Sequence, residues 1–363
     1  MRIVFLSYNY SADIHSPQQW IERIQFYTGW SECLAKQHTI IRIDQVNYQG
    51  EFIHNGIQYY FVDDGKRKNY FPRKLNRFVK ELQPDVVIVS SFLFPLQLIQ
   101  LRGCLGKKVK IIIQHHAEKP FTGIKKRLQY WASHKANAFL FSAHETGLDW
   151  VKTKNLDNTK KLHELLEVSS VFHPVDKIIA RKETEVSGGP VFLWVGRLNE
   201  NKDPLTAVKA FLQFAEINPA AKLYMIYHTD ELAAAIKELL FSYQAESPVL
   251  MIGKVPHPEL LYWFNSADFF LSASHYEGSG TALCEAMSCG CIPVVTAIPS
   301  FRMIADGCGL LYEPGNEAAL LAALDQTIHL NMEEQKNRVL HQFNSALSFE
   351  AIALKFQRLA DSL

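Results

Sequence analysis

The chain is expected to form two α/β domains, each a doubly wound parallel sheet, facing one another across a cleft. Three observations lead there. With 363 residues it exceeds one ordinary domain. Short apolar runs alternate with amphipathic helical patterns almost throughout, and continuous apolar strands separated by helices belong to parallel sheets covered on both faces. The pattern breaks near residues 173–190, where His173-Pro174 is followed by the polar, Gly-rich run Arg181-Lys-Glu-Thr-Glu-Val-Ser-Gly-Gly-Pro190.

In the first half the strand candidates are Ile3–Ser7, Asp85–Ser90, Lys110–Gln114 and Ala138–Ser142. In the second they are Pro190–Val195, Lys222–Tyr227, Val249–Ile252, Asp268–Ala273 and Ile292–Thr296. Asp203 is placed to cap a helix whose first residue is Pro204, with Leu205, Val208, Phe211, Leu212 and Ala215 on one face. Another helix should open at about Thr281. These elements divide the chain into a first domain at 1–175, a linker at 176–189 and a second domain at 190–345. The tail, 346–363, reads as an amphipathic helix that packs back on the first domain.

Bulk properties narrow the class. Hydrophobic content of 48% and charged content of 21% suit a soluble globular chain. No apolar run is long enough to span a membrane, and the opening Met1–Ser7 is too short for a signal peptide. None of the six cysteines forms a Cys-x-x-Cys pair, so they read as small apolar fillers in a reducing cytoplasm, and no metal site is expected. Charge is divided: residues 1–172 carry 24 Lys/Arg against 15 Asp/Glu, and residues 173–363 carry 14 against 22. The first half therefore suits an anionic partner.

The most informative stretch is Glu277-Gly-Ser-Gly-Thr-Ala-Leu-Cys-Glu285, which follows a buried-strand run. A carboxylate, a Gly-Ser-Gly turn and a helix start come in succession. Unpaired N–H groups at a helix start attract anions, and two acids nearby can hold sugar hydroxyls. Gly278 and Gly280 allow close backbone approach. Earlier in the same half, Trp194-Val-Gly-Arg197 ends a strand and Lys202 stands on the loop before a capped helix. Arg presents a fixed fork of donors to phosphate and Lys a mobile charge. The set suits a nucleotide-sugar. As isolated residues, Arg197 and Lys202 would be solvated charges, Glu285 a helix carboxylate and Glu277 a loop residue.

Together, Val195-Gly-Arg197-Leu, Lys202-Asp-Pro-Leu, the glutamates at 277 and 285, Ala286-Met-Ser-Cys-Gly290 and Pro293-Val-Val resemble the retaining glycosyltransferases of family 4 in order and spacing. The resemblance covers residues 190–320 strongly and the first half only in general layout. It implies the GT-B fold, two Rossmann-like domains. It also implies transfer of a sugar from a UDP- or GDP-linked donor to an acceptor hydroxyl, with retention, in glycan, polysaccharide or glycolipid synthesis. Arg197 and Lys202 would bind the diphosphate and stabilise charge on the leaving nucleotide with neither metal nor cofactor. Glu285 would hold the ribose, and Glu277 would face the reacting sugar. The amides of Gly278, Ser279, Gly280 and Thr281 would line the phosphates and sugar. Gly253-Lys254-Val255 would lie by the base. Ser279 and Thr281 depart from the larger apolar residues common in this loop, so no sugar preference is transferred.

In the first half, Lys110-Ile-Ile-Ile-Gln-His115-His116 is a strand ending in two histidines. Relatives carry a cleft-facing His at an equivalent strand end. His116, one step further out, is favoured over His115, because adjacent strand side chains point oppositely. The loop after the first strand lacks the Gly-Gly pair of many relatives; Tyr8, Tyr10 and His15 there are acceptor-side candidates, and so is His115. Basic clusters at Lys66-Arg-Lys68, at Arg73, Lys74, Arg77 and Lys80, and at Lys125-Lys-Arg127 beside Tyr130 and Trp131 suit peripheral contact with an anionic membrane at the cytoplasmic face and a lipid-linked acceptor. No nucleic-acid module is visible. A nucleotide-sugar epimerase and a non-catalytic nucleotide-sugar-binding protein are the alternatives.

Overall fold

A computed structural model of the chain describes residues 1–63, 71–116, 118–241, 243 and 247–363. They form two compact units, Met1–Val168 with Phe349–Leu363, and Ser169–Ser348. Among the described residues no helix is long and apolar enough to cross a membrane.

The first unit is built on eight strands: β1 (Arg2–Ser11), β2 (Thr39–Val46), β3 (Gly50–His54), β4 (Ile57–Val62), β5 (Val86–Ser90), β6 (Lys110–Gln114), β7 (Ala138–Phe141) and β8 (Leu162–Glu164). Their order across the sheet is β3-β4-β2-β1-β5-β6-β7-β8. All pairs are parallel except the edge hairpin β3–β4, where Phe52 faces Tyr59. The sheet is therefore mixed at one edge. The centre of β1, Ile3 to Leu6, is buried on both faces, as the continuous apolar run requires.

β2 escapes a simple reading because its interior carries Arg42 and Asp44, both buried. Arg42 lies over the Phe5 ring at 4.9 Å. The Trp20 indole donates to Asp44 at 2.9 Å. Burial pushes the Asp44 carboxyl up, with Arg42 and Trp20 opposing.

The C-terminal helix Phe349–Ser362 belongs to this unit. Phe356 packs on Trp30 of helix Pro17–Ala35, with ring centroids 5.2 Å apart. Gly29 makes room: a Cβ there would stand 2.4 Å from the Phe349 ring.

The second unit holds β9 (Val191–Gly196), β10 (Lys222–Tyr227), β11 (Val249–Gly253), β12 (Phe269–Ser272), β13 (Ile292–Thr296) and β14 (Leu310–Tyr312), all parallel in the order β11-β10-β9-β12-β13-β14. Counted from β9 this is the Rossmann order, reversing between β9 and β12. Helix Pro204–Ile217 starts at Asp203, whose side chain accepts from the Thr206 N–H at 3.3 Å. It buries Phe211 and Phe214 against Phe192, while Leu205 stays half-buried.

Two expected boundaries are corrected. Segment 176–189 is not a linker: Asp176 caps a helix, Lys177–Thr184, inside the second unit. That helix is anchored by an ion pair from Lys177 to Asp268 and a 2.8 Å contact from Thr184 Oγ1 to Ser266 Oγ. The first unit ends at Val168 rather than 175. Ser169 donates to the Leu347 carbonyl, the Ser170 and Ser288 hydroxyls lie 3.0 Å apart, and the Val175 N–H donates to Asn265, so 169–175 is fastened to the second unit. A cap such as Asp176 is one polar residue and leaves little trace in composition.

Candidate functional site

In the second unit the reversal between β9 and β12 leaves two loops at strand carboxyl ends, where such sheets bind ligands. The β9 loop runs through Arg197 into the short 3-10 turn Glu200–Lys202. Asn199 caps that turn by accepting from the Lys202 N–H at 3.1 Å. Asp203 then takes the left-handed conformation, φ 42°, which turns the chain directly into Pro204.

The β12 loop is stitched to it. The His275 N–H donates to the Asn201 carbonyl at 2.8 Å, and the Asn201 amide to the Tyr276 carbonyl at 2.9 Å. The His275 ring lies 3.2 Å from Asp203 Oδ2. An ion pair between Lys202 Nζ and Glu277 Oε1 closes the stitch. Their side chains are 19% and 16% exposed, so solvent screens the pair only in part. The Arg197 side chain is exposed, and no partner for it is recorded among the described residues.

Glu277 leads into helix Thr281–Ser288 through Gly280, which is left-handed at φ 62°. A Cβ at Gly280 would stand 2.5 Å from Ile304 Cδ1. Glycine is therefore demanded twice there, by conformation and by close approach. No side chain caps this helix, so its first N–H groups are open to an anion. Ser279 and Thr281 stand at its mouth with hydroxyls 3.5 Å apart. Gly278 is half-buried between Glu277 and the turn.

On the buried side of the helix Glu285 is only 5% exposed. Its Oε1 lies 2.6 Å from His257 Nε2. The His257 ring stacks on Phe172 with centroids 5.1 Å apart. His257 lies on the β11 loop, four residues past Gly253; Gly253 is left-handed, Lys254 exposed and Val255 half-buried. One unit thus brings Lys202 to Glu277 and His257 to Glu285. Nothing in sequence spacing pointed to His257.

The first unit has its own reversal, between β1 and β5. A cavity of about 410 Å³ opens there, lined by Tyr8, Asn9 and Tyr10 of β1, by Leu93, Phe94 and Gln97 after β5, and by Phe121, Lys125 and Leu128. The buried Tyr8 hydroxyl donates to Asn76 at 2.8 Å, and the Tyr10 hydroxyl to Asp63 at 2.8 Å. His15 is exposed beside Asn47 and does not line the cavity.

The two histidines after β6 differ. His115 is buried against Phe141 and Trp150, with centroids at 4.6 and 5.4 Å, and burial pulls its pKa down. Its expected place on the acceptor side is corrected: the ring is part of the core. His116 is part-exposed and pairs through Nδ1 with Glu167. Burial alone would lower the His116 pKa; the Glu167 and Glu118 carboxylates outweigh it and hold it above the ordinary value.

Glu118 is a further residue that sequence reading missed. It accepts from the Phe92 and His116 N–H groups, each at 2.6 Å, and from the Ser91 hydroxyl at 3.1 Å. It thereby fixes the loops after β5 and β6. Burial opposes its ionisation, but His115 and these N–H groups keep its carboxyl below the usual range.

Helix Gly123–Ser133 shows Ile124 and Trp131 to solvent at 87% and 66% exposure. Beside them a surface hollow of about 450 Å³ is lined by Lys126, Arg127, Tyr130, Trp131 and Lys154. Arg73, Lys74, Arg77 and Lys80 are exposed on helix Arg73–Glu81. The cluster Lys66-Arg-Lys68 lies outside the described residues.

Residues 175–341 match the family model described as glycosyl transferases group 1. Mannosylfructose-phosphate synthase of Agrobacterium fabrum is 34% identical over 127 residues, 33% of this chain and 28% of that protein. Poly(glycerol-phosphate) alpha-glucosyltransferase of Bacillus subtilis is 29% identical over 159 residues, 41% of this chain and 23% of that protein. The matched segments thus span about a quarter of these relatives' lengths. Among solved structures, sucrose-phosphate synthase of Thermosynechococcus elongatus superposes with a TM-score of 0.70 at 15% identity, covering 99% of this chain and 98% of that one. HepE of Anabaena, solved with UDP and glucose, gives 0.67 at 11% identity over 100% of both. The two parallel-sheet units have the GT-B fold.

Proposed function

We propose that this chain, whose second unit carries a group 1 glycosyltransferase domain, moves a sugar from a UDP- or GDP-linked donor to an acceptor hydroxyl. One observation carries the reading. At the sheet reversal of the second unit, Lys202, Glu277 and an uncapped helix N-terminus meet at a single loop junction, with Arg197 on the same β9 loop as Lys202. Two cations and open amides suit a diphosphate, and a carboxylate beside them suits sugar hydroxyls.

In this reading the donor diphosphate sits at the start of helix Thr281–Ser288. It draws Lys202 toward its oxygens and so loosens the Lys202–Glu277 pair. Glu277 is then available to the donor sugar. Arg197 and Lys202 stabilise the negative charge that grows on the leaving diphosphate, in place of a metal. Glu285 holds the ribose. His116, with its proton held by Glu167, donates toward the sugar or the acceptor. The chemistry assigned is that of family 4: the acceptor enters on the face the nucleotide leaves, and the anomeric configuration is retained. The cavity of the first unit, with Tyr10 at its wall, is the seat assigned to the acceptor.

The test is incubation with UDP- and GDP-sugars, with and without acceptor alcohols. A transferase gives a glycoside only when acceptor is present. An epimerase would give a new nucleotide-sugar without one. That alternative is not favoured, since the relatives above are named as transferases and synthases.

The exposed Ile124 and Trp131, set among Lys126, Arg127 and Lys154, support peripheral contact with an anionic bilayer at the cytoplasmic face. The aromatic and aliphatic side chains enter the interface, and each nearby cation adds about 1 kcal/mol. An acceptor linked to lipid would then be met at that surface. The chain should float with phosphatidylglycerol vesicles at low salt, and the double variant Ile124→Ser, Trp131→Ser should remain in the dense fraction. Equal behaviour of the two proteins would remove this part of the proposal.

A further inference from the structure

We infer that His257 is a positioning residue that makes the donor site selective for ribose, acting through Glu285. The inference rests on the donor reading above and adds a residue to it. Glu285 is the only carboxylate of helix Thr281–Ser288, and it is buried on the side facing the β11 loop. A buried carboxylate without a donor is costly. His257 supplies the donor: Nε2 stands 2.6 Å from Oε1. A carboxylate only accepts, so the proton of this contact is on Nε2.

The imidazole is itself held in place. It stacks on Phe172, with planes 26° apart. Phe172 belongs to the segment fastened where the Ser170 and Ser288 hydroxyls lie 3.0 Å apart, while the Ser288 hydroxyl donates to the Glu285 carbonyl at 2.7 Å. The ring therefore fixes the carboxylate, and Ser288 braces the helix turn that carries it. With Oε1 engaged by His257, Oε2 is the oxygen left to accept from a ligand. A single oriented oxygen accepts well from a ribose hydroxyl and leaves an unmet acceptor when the sugar is deoxyribose.

The experiment separates the ring from the proton. His257→Phe keeps the stack on Phe172 and removes the donor. His257→Gln removes the ring and keeps an N–H at the position of Nε2. Binding of UDP, GDP, dUDP and dGDP is measured by calorimetry, with KM and kcat for the donor. Wild type should bind the better of UDP and GDP about tenfold more tightly than its deoxy form, the worth of one hydrogen bond to a charged group. His257→Phe should lose most of that preference and raise donor KM about tenfold with kcat within about twofold. His257→Gln should retain the preference. If the Phe variant fails to fold, His257→Ala gives the same comparison, because the His257 side chain is 38% exposed. Unchanged ribose preference in the Phe or Ala variant overturns the inference, and so does a Gln variant as poor as Phe. If wild type binds neither UDP nor GDP, the donor reading fails first, which is a separate result.

Discussion

Replacing Lys202 by Ala should lower kcat/KM for sugar transfer by about 10²–10³-fold, the loss that follows removal of one preorganised electrostatic donor. Lys202 is held by the 3-10 turn Glu200–Lys202 and the Asn199 cap, and its charge meets Glu277 at the helix mouth. A diphosphate at that helix N-terminus gains negative charge as the glycosidic bond breaks. Lys202 stabilises that charge more than it stabilises the bound donor, so the loss should fall on kcat as well as KM. Glu277, only 16% exposed, loses its cation, so a fall in melting midpoint should accompany the kinetic loss. Transfer kinetics and thermal melts on the same preparation check both points. A variant with wild-type kcat/KM would remove Lys202 from the reaction.

Gly309→Ala should be the most damaging single-methyl change in the second unit. Gly309 has φ 69°, and an added Cβ would lie 2.1 Å from the Pro293 carbonyl oxygen. The left-handed conformation costs a non-glycine residue roughly 1–2 kcal/mol, and overpacking adds about 1–3. The obstacle is backbone of β13, so no side-chain rotation relieves it. A drop in melting midpoint on the order of 10 °C is expected. Gly307→Ala is the control. It shares a positive φ, 79°, but its Cβ would meet nothing within 4 Å, so it should bear the conformational cost alone. Equal melting of the two variants would deny the steric part of the argument.

How far the sequence could be read follows from the kind of signal each feature leaves. Glycines forced by geometry, such as Gly280, mark the donor loop because nothing else fits there. Strands buried on both faces, such as β1, β6 and β9, are continuous apolar runs. β2 was missed because Arg42 and Asp44 interrupt its pattern, and the contacts that hold them, with each other, with the Trp20 indole and with the Phe5 ring, exist only in the folded sheet. The short strands β8 and β14 leave too few residues for any period.

The site shows the same division. Arg197, Lys202, Glu277 and Glu285 could be singled out because their order and spacing around turn residues resemble a family pattern. Glu118, Glu167 and His257 were not. Each is a single polar residue whose meaning lies in a partner: Glu118 with Phe92 26 residues back, His116 with Glu167, and His257 with Glu285 28 residues on. The sequence favoured His116 of the His115–His116 pair and left His115 as an acceptor-side candidate. The structure corrects the latter, because the Phe141 and Trp150 rings enclose His115.

The most direct measurement is the incubation of the purified chain with a panel of UDP- and GDP-sugars and simple acceptor alcohols, read by product analysis and by the configuration at the transferred carbon. The expected result is nucleoside diphosphate released in step with a glycoside that keeps the donor's anomeric configuration, for at least one donor. Absence of acceptor-dependent product across the panel, or a new nucleotide-sugar formed without acceptor, would contradict it.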